Sequence, residues 1–173
     1  NQKLNLEIFM INIIRVIIKE VIDMYIKGFK TFLKGMKTLE GNLTLQVGKT
    51  YHIDEPIQFK KNGFHFCKRL EDTLHYFTDY HTDIDICAVT GFGNVLKTSH
   101  EYYGYYDIYV TSDLKIDRLL SKQEILDMYK DLIDHSLCSD QRIARFLTYY
   151  PNLTEEDYHY LGITPKQYKL RYY

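Results

Sequence analysis

Val47 to Phe77 reads VGKTYHIDEPIQFKKNGFHFCKRLEDTLHYF, and this stretch decides the fold. A Gly48-Lys49 turn enters a short alternating strand, Tyr51 to Ile53. Asp54-Glu55-Pro56 ends that strand, because proline donates no ladder hydrogen bond. Asn62-Gly63 is a tight-turn signal. The apolar strand Phe64 to Cys67 then runs into a short helix, with Leu70, Leu74 and Phe77 recurring at helical spacing. Short strands joined by turns predict an antiparallel sheet, and the helix is expected to lie over it.

The same alternation continues on both sides. Upstream, Tyr25-Ile26 begins a strand, and Gly28, Gly35 and Gly41 punctuate the loop expected after it. Leu43, Leu45 and Val47 alternate with polar residues, as in a half-buried strand. Downstream, Ile84 to Val89 and Asn94 to Lys97 read as two strands parted by Gly91-Phe92-Gly93. Tyr106 to Val110 and Leu114 to Leu119 read as the last two, joined at Thr111-Ser112-Asp113. Past residue 120 the period changes to helical. Ser121 and Glu124 form a capping box. Ser139 or Asp140 starts a second helix, Thr154 a third, and Thr164-Pro165 a fourth. Three segments result: an N-terminal amphipathic helix over 1–23, a β-rich domain over 24–120, and a helical region over 121–173 packed on the same core. The fold class is α+β, a small and mostly antiparallel β-sheet domain with an N-terminal amphipathic helix and a C-terminal helical cap.

Composition bounds the function. The chain has 173 residues, 45% of them apolar and 26% charged, which suits a globular core rather than a disordered segment. Its formal net charge of −1 gives no global pull toward nucleic acid or acidic membrane. Seventeen tyrosines and no tryptophan supply large rings whose hydroxyls need partners. Three cysteines, Cys67, Cys87 and Cys138, show no CxxC spacing, which argues for reduced thiols and against a disulfide framework or a four-thiolate metal site. Glu7 to Ile22, EIFMINIIRVIIKEVI, is too short to span a bilayer, which takes about 20 residues. No small-residue cleavage site follows it. Asn12, Arg15, Lys19 and Asp23 fall on one stripe, opposite Ile11, Ile14, Ile18, Val21 and Ile22. Packing on its own domain, attachment to a membrane surface, and self-association through Ile11, Ile14, Ile18 and Val21 all stay open for this helix. The chain begins at Asn1 rather than Met, and Met24 offers an alternative start.

The middle segment resembles a family of phage and giant-virus proteins, the DUF7666-like domain of unknown function. The resemblance is carried by Tyr25-Ile26-Lys27-Gly28-Phe29, Val47-Gly48-Lys49-Thr50-Tyr51 and Asn62-Gly63-Phe64-His65-Phe66-Cys67. Ile86-Cys87-Ala88-Val89-Thr90-Gly91 and the run Tyr109 to Ile116, YVTSDLKI, complete it. The variant is most similar to the multi-copy proteins of mimivirus-type viruses. The resemblance implies a viral origin, an intracellular place in the infected cytoplasm or the virion, and an intact α+β domain. It brings no catalytic residue.

Several chemistries compete for the remaining residues. His65 and Cys67 are two apart on a strand and share a face, so with His75 or His81 they could ligate zinc. Cys67 could also act as a nucleophile with a histidine base. Against both stands packing: Phe64 and Phe66 fill one side and His65 and Cys67 a half-buried position on the other, so no metal and no cofactor is expected. The order of strands, with Lys27 before Gly28 and Glu101 as acid, is similar to ADP-ribosyltransferase folds, but Lys27 stands where Arg or His is expected. Thr154 to Tyr173 outlines a helix-turn-helix with Lys166, Gln167, Lys169 and Arg171 on its second helix. Residues 121–173 hold seven Lys/Arg and eight Asp/Glu, so this region lacks a basic footprint. The run His100-Glu101-Tyr102-Tyr103-Gly104-Tyr105-Tyr106 offers Tyr102, Tyr103, Tyr105 and Tyr106 as a recognition surface. The expectation is a non-enzymatic accessory module that binds a protein partner.

Overall fold

The computed structural model describes residues 25–39, 43–76, 83–100 and 106–164. The expected helix over 1–23, with Ile11, Ile14, Ile18 and Val21, lies outside them, as does the helix expected from Pro165 onward. Among the described residues, five strands form one sheet: β1 (Ile26–Leu33), β2 (Thr50–His52), β3 (Phe64–Cys67), β4 (Ile84–His100) and β5 (Tyr106–Leu119). A 3₁₀ helix spans Leu70–Tyr76. Three α-helices follow: α1 (Lys122–Asp134), α2 (Asp140–Tyr149) and α3 (Glu155–Leu161). This is an α+β architecture.

Every pairing between strands is antiparallel. β4 and β5 make a long hairpin, paired from Cys87↔Leu119 to His100↔Tyr106. β1 lies along the other edge of β4, from Ile26↔Gly91 to Leu33↔Ile84. β3 and then β2 share the other edge of β5. One further position, Phe29↔Cys67, joins β1 to β3. The pairings therefore run β5–β3–β1–β4 and back to β5, a closed ring with β2 continuing along β5. Closure leaves few open edges for stray pairing.

The two faces of the ring carry separate cores. Phe32, Phe64, Phe66, Cys87, Val89, Leu114 and Ile116 cluster on one face, sealed by Leu45 from the loop after β1. Alternating with Cys87 and Val89, the side chains of Ile84 and Ile86 turn to the other face. There they meet Leu70 and Leu74 of the 3₁₀ helix, Ile125, Leu126 and Tyr129 of α1, Ile143 and Phe146 of α2, and Leu161 of α3. Tyr129 stacks on Phe146 with ring centroids 3.7 Å apart. The helices thus cover a sheet face that water would otherwise meet, which is the main drive for their packing.

Four local expectations change. The paired stretches 84–89 and 94–97 belong to one strand, as do 106–110 and 114–119. The glycines and the Thr111-Ser112-Asp113 junction sit inside continuous strands, and register shifts between Ala88 and Val89 and between Phe92 and Val95 absorb them. Gly28 lies within β1 rather than in a loop. It is needed there for space: a Cβ on it would stand 2.4 Å from the Cys67 carbonyl oxygen, and one on Gly91 2.4 Å from the Phe66 ring. Leu43 to Val47 makes no strand beyond an isolated Lys37↔Thr44 bridge. Leu45 alone is buried, while Leu43 and Val47 are exposed, so the alternation records a single anchor. Finally, the tight turn falls two residues before Asn62-Gly63. It is closed by the Gln58–Asn62 pair, with Lys60 at φ 62°.

Candidate functional site

A cleft of about 620 Å³ lies between β1 with the loop after it and the segment 53–67 that leads through β3. Its volume falls in the range of ligand-binding clefts, about 300–1,000 Å³. Phe29, Leu39, Leu43, Ile53, Phe59 and Phe64 give it an apolar wall, and Lys30, Lys60 and Lys61 supply its cations. Among the described residues that line it there is no Asp or Glu. Leu39 and Leu43 are 46% and 45% exposed, so the apolar wall continues to the mouth.

The turn that bears Lys60 and Lys61 is held by its own backbone. The Gln58 amide donates to the Asn62 carbonyl at 2.8 Å and the Asn62 amide returns to Gln58 at 2.9 Å. These bonds set the Phe59-Lys60-Lys61 turn. His65 then fastens it from below. The Lys60 amide can only donate, so His65 Nε2 accepts from it at 2.9 Å, and Nδ1 carries the proton that is donated to the Gly63 carbonyl at 3.0 Å. Lys30 Nζ donates to the His65 carbonyl at 2.6 Å.

This geometry assigns His65 to holding the turn, since both ring nitrogens are engaged there. Cys67 is buried beside Ile108 and Phe59. Burial, with the charge of Asp72 adding to it, pushes its thiol up to about 12, so it carries almost no thiolate at neutral pH. His75, the suggested third zinc ligand, takes a hydrogen bond at Nδ1 from Arg145 at 2.9 Å. Among the described residues no group of three or more His, Cys, Asp or Glu could hold a metal ion. Lys27 is exposed on β1 opposite Thr90 and does not line the cleft. His81, Glu101, Tyr102, Tyr103, Tyr105, Lys166, Gln167, Lys169 and Arg171 lie outside the described residues, and Tyr106 enters only as a backbone partner of His100.

Two polar groups have no counterpart in the sequence reading. Under the helices, Glu71 and Asp72 are both buried. Arg142 of α2 reaches Asp72 at 2.9 Å, and Arg69 lies 3.1 Å from Asp72 and 3.4 Å from Glu71. Burial pushes both carboxyls above their usual range, with Arg142 holding Asp72 back and Arg69 doing so for Glu71. At the other end of the sheet, His52 pairs with Asp113 at 2.7 Å and Asp54 at 3.1 Å. Ser112 donates to Asp113 and accepts from the Asn94 amide, 2.6 and 2.9 Å. The serine hydroxyl is turned to the carboxylate and the His52 nitrogens to two carboxylates, so this group ties β2 to the bulge in β4 rather than forming a nucleophile–base relay. His65 and Cys67, singled out in the sequence, both line the cleft, and Lys60-Lys61 beside a turn signal was a further trace of it. The ion group joins residues 70 apart in the chain and left no trace.

The chain belongs to the DUF7666 family, a domain of unknown function whose profile matches residues 26–126, from the start of β1 into α1. No curated protein and no solved structure matches it. No described helix is long and apolar enough to cross a membrane.

Proposed function

We propose that the protein is a non-enzymatic interaction module that receives a partner polypeptide in the cleft between β1 and the 53–67 segment, and that it works as a viral accessory protein inside the infected cell. The cleft carries this reading: an apolar wall reaches the surface at Leu39 and Leu43 beside lysines borne on a held turn. Surface leucines next to a concave apolar wall are what a partner's side chains would bury. The side chains suggested for catalysis support the same reading, because His65 is spent on the turn and Cys67 is a buried, protonated thiol. The viral setting rests on the resemblance of the stretches between Tyr25 and Ile116 to phage and giant-virus proteins. The tyrosines between β4 and β5 form a second contact region in this proposal, on the chemistry of their side chains.

A photocrosslinking residue at Leu43 tests it, with Leu137 as control because it is 60% exposed and outside the cleft. Crosslinked adducts with another polypeptide are expected from Leu43 and not from Leu137. Equal yields from both positions, or NAD turnover lost in Lys27→Ala, would overturn the reading.

A further inference from the structure

We infer that the occupant of the cleft is a peptide segment carrying acidic side chains next to aliphatic or aromatic ones. This rests on the cleft being a protein-interaction site, and adds the chemistry of what it takes. Across the whole chain acids and bases nearly cancel, 23 Asp/Glu against 22 Lys/Arg. The cleft departs from that balance, with Lys30, Lys60 and Lys61 and no carboxylate among its described lining residues. Glu55, the acidic group next to the turn, sits 3.5 Å from Asn62 Nδ2 and does not line the cleft. Lys60 and Lys61 are exposed beside a described lining that holds no carboxylate, and that local charge favours an acidic partner.

The turn that bears two of the cations is also set in advance. The paired Gln58 and Asn62 backbone and the His65 ring fix the turn that bears Lys60 and Lys61. A bound acidic group therefore orders little besides two side chains, and less binding free energy is lost to that ordering. A trough with exposed leucines at its mouth suits an extended peptide whose alternate side chains enter it. Phe59, the ring under Lys60, is half-buried against His65, 5.8 Å between ring centroids, and offers little face for stacking a nucleic-acid base.

A phage-displayed dodecapeptide library panned on the whole chain tests the inference, with selected peptides re-measured by fluorescence anisotropy. Two variants serve as controls: Lys60→Glu with Lys61→Glu, and Leu43→Asp. All three positions are exposed, and circular dichroism would check that each variant keeps the wild-type fold. Selected peptides should be enriched in Asp and Glu beside Leu or Phe. Their affinity should fall about tenfold or more in the lysine variant. Peptides that lose affinity in Leu43→Asp yet show no acidic enrichment would sink the ligand class and leave the cleft as a protein site. Peptides indifferent to both variants, or an empty selection, would sink the cleft itself. A fluorescein-labelled single-stranded oligonucleotide that binds and is released by the lysine reversal would instead assign the cations to phosphate.

Discussion

Gly91→Ala probes the closed ring at its tightest point. Gly91 faces Phe66 across the interior. A Cβ there would stand 2.4 and 2.6 Å from two atoms of the Phe66 ring and 2.9 Å from the Thr111 methyl. Phe66 is 3% exposed and stacks on Tyr109 with centroids 5.6 Å apart, so its ring has little room to retreat. The added methyl should cost about 2–3 kcal/mol, toward the upper part of the usual overpacking range. For a chain of this size that is a fall of about 4–12 °C in Tm, read by differential scanning calorimetry. The obstacle is a side chain, so Phe66→Leu should relieve it. The two substitutions together should cost less than their sum, by about 1–2 kcal/mol in a double-mutant cycle. Gly28→Ala is the contrast. Its nearest obstacle is the Cys67 carbonyl oxygen at 2.4 Å, with the Phe66 ring second at 2.7 Å. Backbone cannot be trimmed away, so Phe66→Leu should recover less there than at Gly91. An unchanged Tm in Gly91→Ala, or equal recovery at both glycines, would refute the packing of Phe66 inside the ring.

Arg142→Met should destabilise the chain by about 1–3 kcal/mol in urea titration, because it removes one of the two guanidinium partners of the buried Asp72 carboxylate and leaves Arg69 at 3.1 Å. Asp72 already titrates above its usual value, and losing Arg142 raises it further. A carboxyl raised in the folded state contributes stability below the ordinary carboxyl range and loses it as pH rises through the raised value. The Arg142→Met deficit should therefore be larger at pH 7 than at pH 4. Asp85→Asn runs the other way. Burial pushes the Asp85 carboxyl up, but the Lys34 ammonium and the Gly35 and Met36 amides outweigh burial and hold it below the usual value. That contribution is present above the ordinary aspartate value and is lost as pH falls through the lowered one, so thermal melts of variant and wild type should converge in acid. Cys67, Cys87 and Cys138, all pushed up to about 12 by burial, should react with an aromatic disulfide reagent far more slowly in the native chain at pH 7.5 than in urea. A fast native thiol at Cys67 would reopen a nucleophilic role.

Local chemistry alone determined a good part of this protein. The capping box is encoded within four residues, and it formed: Ser121 Oγ accepts from the Glu124 amide at 3.3 Å; Thr154, read only as a helix start, also accepts at Oγ1 from the Asp157 amide at 3.3 Å. The alternation in Phe64 to Cys67 made β3, and the apolar face of Leu70 and Leu74 reached the core as expected. Tertiary structure decided whatever depends on which segment meets which. Gly91 and Gly93 read locally as breakers. Opposite a 14-residue partner they became part of a 17-residue strand, because ladder hydrogen bonds and bulges supply what glycine's weak propensity lacks. The cleft needs the loop after β1 to stand beside the turn before β3, and the ion group needs α2 to land on the 3₁₀ helix. A side chain's burial and charge environment come from neighbours distant in the chain, and those neighbours are chosen only when the ring closes.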